Sequence, residues 1–131
     1  MGTFHEPIEI WNASKPRRKL ALDALVDTGA AYSVIPAKLL RRLGVKAFAR
    51  RRFKLADGRV IDSGVGWATV RVKGEAIPTL VIFGANDAEP LLGAYTLEGL
   101  ALGVDSLHGN LVPVALYLVG FAPPRRRAKR S

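Results

Sequence analysis

The sequence predicts a mostly β domain, rolled into a barrel or folded as a sandwich. Several short runs alternate apolar and polar residues, Gly, Pro and Asp-Gly signals separate them, and only two short segments carry helix punctuation.

From the amino end, Ile8 and Ile10 mark a short edge strand, followed by a polar loop from Asn12 to Pro16. Leu20, Leu22, Ala24 and Val26 fall on one face of the next strand, the period-two pattern of a half-buried ribbon. It runs into Asp27-Thr28-Gly29, where glycine permits a bend or a close backbone approach. Ser33-Val34-Ile35 reads as a returning strand. Pro36 then opens a short helix reaching Leu43, and Gly44 closes it. Segments 50–55 and 59–62 flank Ala56-Asp57-Gly58, a hairpin signal. Trp67 to Val72 alternates again, and Lys73-Gly74-Glu75 turns it into a strand from Ala76 to Phe83. A polar loop, 84–89, ends at Pro90, and the apolar pair Leu91-Leu92 stops at Gly93. Residues 95–102 suit a second short helix, and 111–119 a last apolar strand.

A chain of 131 residues is the usual size of one domain and can bury a core without staples. Residues 1–122 are expected to form that single domain. Residues 123–131 follow Pro123-Pro124 with five cations and little apolar surface, which predicts a basic, disordered tail. The formal charge is +9, so +4 remains without the tail. Other basic clusters lie at Lys15-Arg17-Arg18-Lys19, Arg41-Arg42 and Arg50-Arg51-Arg52. Charge runs of this kind are most often solvated faces, with nucleic acid as a secondary partner through the tail.

The absence of cysteine excludes disulfides, thiolate catalysis and Cys-based zinc sites. The opening MGTFHEPIEI lacks the basic start and apolar stretch of a secretory signal. The longest apolar run, 111–122, is too short to cross a bilayer. A cytoplasmic protein with no membrane partner is expected. His5 and His108 stand isolated in sequence, so no metal or other cofactor is expected. Asp105, in Gly-Val-Asp-Ser, reads as a turn former.

The segment that carries chemistry is Asp27-Thr28-Gly29-Ala30. An Asp-Thr-Gly triplet arises by chance in roughly a few per cent of chains this long, so its context decides. Here an apolar strand leads in, and Ala31-Tyr32-Ser33-Val34-Ile35 leads out. From Leu25 to Val34 the chain resembles the retroviral-type (retropepsin-like) aspartic proteases and their bacterial members. Leu91-Leu92-Gly93 and the segment to Leu102 are similar to a second element of that family, and a hairpin lies between the two where the family has its flap.

The resemblance implies a closed retropepsin-like (acid protease) β-barrel with one or two short helices, acting as an aspartic endopeptidase. It implies a homodimer in which Asp27 of each chain meets its copy, one as general base and the other as acid on a shared water. Thr28 is implied to bond across the dimer, and Gly29 to admit substrate or the opposing backbone. The implied catalytic set is therefore Asp27, Thr28 and Gly29. The implied substrate-binding set is Ala30, Ala56, Asp57, Gly58 and Leu92, with 56–58 as the flap tip and Gly64 and Gly66 as its bending points. Ala30 stands where pepsin-like enzymes have a hydroxyl, which predicts an activity optimum nearer mild than strong acidity. Retroviral relatives pair terminal strands, which assigns 111–119 to a dimer interface.

Two other classes of function remain open at this point. One is a non-catalytic dimerisation or binding module on the same fold. The other is a small nucleic-acid-binding barrel, for which Phe48, Phe53 and Trp67 look few and scattered as stacking platforms.

Overall fold

The computed structural model describes residues 3–118; the tail assigned to 123–131 lies outside them. In chain order the elements are β1 (His5–Trp11), β2 (Leu20–Val26), β3 (Ser33–Pro36), α1 (Ala37–Arg42), β4 (Ala47–Lys54), β5 (Val60–Val72), β6 (Glu75–Gly84), β7 (Leu91–Leu92), α2 (Ala94–Gly99), β8 (Leu102–Asp105) and β9 (Asn110–Pro113).

Seven strands form one sheet in the order β1-β2-β7-β3-β6-β5-β4. The first strand also pairs with the sixth in that order: Glu9 to Trp11 lie opposite Arg71 to Thr69. That second pairing rolls the sheet into a closed barrel of six strands, with β4 left outside as the outer arm of a hairpin with β5. The strand expected at an edge is thus the closing stave. Its alternation explains why: Ile8 and Ile10 are buried, and Trp11, capped by Lys19 and Arg71 above its ring, is buried too. Closure removes an edge that would otherwise present unpaired backbone groups.

The core holds Ile10, Ile35, Leu40, Val70, Val81 and Leu92, all buried. They come from β1, β3, β5, β6, β7 and α1, so one core serves the whole domain. The face predicted for β2 is the face observed, with Ala24 and Val26 buried and Leu20 and Leu22 half-buried.

Three expectations need correction. The strands anticipated at 59–62 and 67–72 are one continuous strand, β5, because Gly64 and Gly66 sit inside the ladder. A Cβ at Gly66 would stand 2.8 Å from the carbonyl oxygen of Lys46, so these glycines let β4 cross closely at an irregularity in register. The second helix stops at Gly99, and Leu102 begins β8 after Ala101 takes a positive φ of 53°. The last strand is short: β9 pairs with β8 only to Pro113, Val114 still donates its N–H to the Ala101 carbonyl at 2.9 Å, and Leu116, Tyr117 and Leu118 continue outside any strand and exposed. Val119 lies outside the described residues.

Candidate active site

Asp27 is the first residue beyond β2, and its backbone is fixed on the neighbouring strand: its N–H donates to the Leu92 carbonyl at 3.0 Å. One residue earlier, the Val26 N–H donates to the Phe4 carbonyl at 3.0 Å. The carboxylate turns back on its own loop, where Oδ1 accepts the Gly29 N–H at 2.9 Å. This is the local bond an Asp makes in a tight turn, and it leaves Oδ2 unengaged by any protein donor among the described residues.

The loop after Asp27 is held from below by the start of α2. The N–H groups of Ala94 and Tyr95 donate to the carbonyls of Ala30 and Ala31 at 2.8 and 2.9 Å. Such contact needs a bare backbone at position 93, since a Cβ on Gly93 would lie 2.4 Å from the Tyr32 carbonyl oxygen. The Gly93 N–H in turn donates to Ser33 Oγ at 3.0 Å. Ser33 Oγ lies 2.7 Å from Thr96 Oγ1, which lies 2.8 Å from Thr79 Oγ1. All three hydroxyls are buried, so each requires a partner. The chain they form ties β3, α2 and β6 together directly beneath the Asp27 loop.

Opposite the loop stands the β4–β5 hairpin. Its turn is closed by Leu55 N–H to Arg59 O at 2.8 Å and by Gly58 N–H to Leu55 O at 2.9 Å. Gly58, at φ +90°, adopts the left-handed conformation the turn demands. Asp57 accepts from the Arg59 N–H and guanidinium at 2.9 and 2.7 Å. Those bonds, the backbone one foremost, hold its carboxyl below the ordinary 3.8.

Between loop and hairpin lies a cleft of about 760 Å³. Asp27, Gly29, Ala30 and Ala56 line it, together with Tyr32, Phe53, Ile61, Ile82 and Leu91. Thr28 is exposed beside it, and Asp57 and Gly58 sit at the hairpin tip without lining it. Leu92 faces the core at 1% exposure, and by strand alternation its neighbour Leu91 takes the cleft position. Sequence reasoning missed Tyr32, Phe53 and Ile61 as cleft walls. It also missed Thr79 and Thr96, whose signal was a hydroxyl at a position where the strand or helix pattern demands an apolar side chain.

Neither histidine is isolated in space. His5 bonds to Glu89 across the start of β1, and His108 Nδ1 lies 2.7 Å from Asp105 Oδ2. Asp105 forms the expected turn, accepting the N–H groups of Leu107 and His108 at 3.1 and 3.3 Å. Among the described residues no group of three or more His, Cys, Asp or Glu side chains could hold a metal ion. The aromatics are less scattered than the sequence suggests: Phe48 and Trp67 stack at 6.1 Å on the outer face of the hairpin base, with Arg51 over Phe48 at 5.9 Å. No helix among the described residues is long and apolar enough to cross a membrane.

The profile of the family described as "gag-polyprotein putative aspartyl protease" matches residues 18–99. No curated protein gives a significant match. Among solved structures, the protease of EIAV in complex with the inhibitor HBY-793 is 23% identical, covering 76% of this chain and 88% of its own, at a TM-score of 0.53. The retroviral protease-like domain of Ddi1 from Leishmania major is 21% identical over 86% of this chain and 89% of its own, at 0.54. A retropepsin-like aspartic protease from Rickettsia conorii is 16% identical over 79% and 85%, at 0.50. At these identities the structural likeness speaks for the fold, which is the retropepsin-like barrel.

Proposed function

This chain belongs to the gag-type aspartyl protease family, and from that premise we propose that it is an endopeptidase whose catalytic unit is a homodimer built around two copies of Asp27. Peptide hydrolysis without a covalent intermediate needs a carboxylate to take a proton from water and a carboxylic acid to polarise the scissile carbonyl. Two carboxyls a few ångströms apart resist joint ionisation and share one proton, so a symmetric pair supplies both roles at once. The pair titrates as a unit. A residue near a twofold axis meets its own copy, and one Asp-Thr-Gly per chain is then sufficient.

The observation that carries this reading is the setting of Asp27. It lines the cleft, its backbone is fixed by Leu92, and one carboxylate oxygen is positioned by Gly29 while the other has no protein donor among the described residues. The exposed Thr28 beside it is available to a second chain, as are the apolar Leu116, Tyr117 and Leu118 beyond β9. The β4–β5 hairpin serves as the flap, covering a bound peptide and excluding water, with Ala30 and Ala56 touching it from either side.

The test compares wild type with Asp27→Asn on a peptide library at several pH values, with and without pepstatin. Asparagine keeps the size and the acceptor for Gly29 but cannot exchange a proton. Cleavage is expected to fall by at least roughly 10²–10⁴-fold, and wild-type cleavage to be blocked by pepstatin. Equal cleavage by both proteins overturns the proposal.

A further inference from the structure

Apart from Asp27, the charged residues lining the cleft are Arg52 and Lys54, both exposed and both on the hairpin. They belong to a stretch with four cations in five residues, Arg50-Arg51-Arg52-Phe53-Lys54. The carboxylates of the hairpin are already committed elsewhere. Asp62 accepts from Arg50 Nε at 2.9 Å, and Asp57 from Arg59 Nε at 2.7 Å. Arg52 and Lys54 make no ion pair and no side-chain hydrogen bond among the described residues, although Arg52 sits directly across the ladder from Asp62. Phe53, between them in sequence, points to the Asp27 loop and meets the Tyr32 ring edge-on.

We propose that Arg52 and Lys54 make this cleft selective for peptides that carry an acidic side chain where the peptide passes the rim of the hairpin. The inference rests on the peptidase reading and adds a substrate class to it. The division of labour follows from strand alternation: Phe53 closes the apolar wall with Ile61, and its two flanking residues on the opposite face of the strand set a double positive charge at the rim. A cation at the edge of a low-dielectric cleft focuses the field and raises the local concentration of an anionic ligand. It also opposes a basic segment, which sharpens the choice by repulsion. A peptide is favoured over a nucleic acid because the same cleft presents the Asp27 carboxylate and aliphatic walls, both poorly suited to a phosphate backbone.

Each exposed pairing of this type changes an equilibrium by roughly 1.5- to 5-fold, so two cations together should favour an acidic peptide over its neutral isostere by about 2- to 25-fold. The effect should fade as the Debye length shrinks from about 14 Å at 50 mM salt to about 4 Å at 500 mM.

The experiment uses matched peptides in which Glu is moved through successive positions around the scissile bond, each paired with its Gln twin. The quantity read is the Glu/Gln ratio of kcat/KM for wild type, for Arg52→Gln/Lys54→Gln, and for Arg41→Gln/Arg42→Gln, which removes equal charge from α1. At about 50 mM salt the ratio is expected to be about 2–25 in wild type and in the α1 variant, and near 1 in the hairpin variant and at about 500 mM salt. A wild-type ratio near 1 at every position overturns the proposal, as does a ratio the hairpin variant leaves unchanged. Binding of the same fluorescent peptides to Asp27→Asn protein separates this failure from failure of the peptidase reading. A Glu preference in affinity that depends on Arg52 and Lys54 supports the charge selection whether or not wild type cleaves. Tighter binding of a single-stranded oligonucleotide than of the acidic peptide, lost in the hairpin variant, assigns these cations to nucleic acid and overturns it.

Discussion

The ring of Tyr32 stands edge-on to the ring of Phe53, with centroids 5.8 Å apart and planes at 77°. One ring belongs to the loop that follows Asp27 and the other to the hairpin across the cleft, so this contact spans the site. Tyr32 is also edge-on to Tyr95 of α2 at 5.9 Å, which anchors it from behind. Phe53→Ala should therefore release the hairpin with little damage to the core. An aromatic pair contributes roughly 0.5–1.5 kcal/mol beyond its buried area. Amide exchange across residues 50–62 should accelerate several-fold while β6 amides keep their protection; uniform acceleration would show that the contact supports the whole barrel instead.

The buried hydroxyl chain makes a different prediction. Thr96→Val preserves shape but strands Thr79 and deprives Ser33 of one partner. Leaving buried polar groups unsatisfied costs about 1–3 kcal/mol. Denaturant unfolding should show that loss, and Thr79→Val/Thr96→Val should cost less than the two single changes added together, because the second substitution removes a group the first had already orphaned.

Gly93→Ala should be far worse than Gly74→Ala, although only Gly74 has a positive φ, at +86°. A Cβ at 74 meets nothing within 4 Å, whereas one at 93 lies 2.4 Å from the Tyr32 carbonyl oxygen. The left-handed penalty at 74 is about 1–2 kcal/mol. The backbone clash at 93 should cost about 3 kcal/mol or more, and it should also lower peptide cleavage by displacing the loop that Ala94 and Tyr95 hold. Comparable melting temperatures for the two variants would contradict this account.

Two surface pairs should give stability opposite pH dependences. The His108 side chain, helped by backbone N–H groups, holds the Asp105 carboxyl below its ordinary 3.8. Its stabilising contribution is thus present above pH 3.8 and lost as pH falls through the lower folded value. The Glu89 hydrogen bond raises His5 above 6.5, so that contribution is present below pH 6.5 and lost as pH rises through the folded value. In melting-temperature profiles, the gap between wild type and Asp105→Asn should close in acid. The gap for His5→Gln should close above neutrality. Both effects should be small, since both pairs lie at the solvent-accessible surface, with the His5 side chain 43% and the Asp105 side chain 29% exposed.

Much of this fold was legible because its strands obey a period of two and its turns carry Gly, Pro or Asp-Gly. Leu20 to Val26 and the Asp27-Thr28-Gly29 that follows were readable together for that reason. What the sequence hid was pairing. Nothing local in Ile8 and Ile10 says that β1 joins β5 as well as β2, because closure is a property of the sheet. Gly64 and Gly66 resembled a strand break and are instead the clearance for β4, a distinction that depends on what crosses above them. In the cleft, the choice of Leu91 over Leu92 turned on which face of a two-residue strand looks outward. Tyr32 and Phe53 are 21 positions apart in the chain and meet only through the hairpin's return.

The Phe4 carbonyl is bonded to Val26, one residue short of Asp27. The amino end of the described chain is therefore tied to the base of the Asp27 loop, so any polypeptide joined ahead of it departs close to that loop. A purification handle placed there is a tethered competitor for the space a peptide must occupy. Kinetic constants compared across preparations should accordingly be taken on protein from which such a handle has been removed.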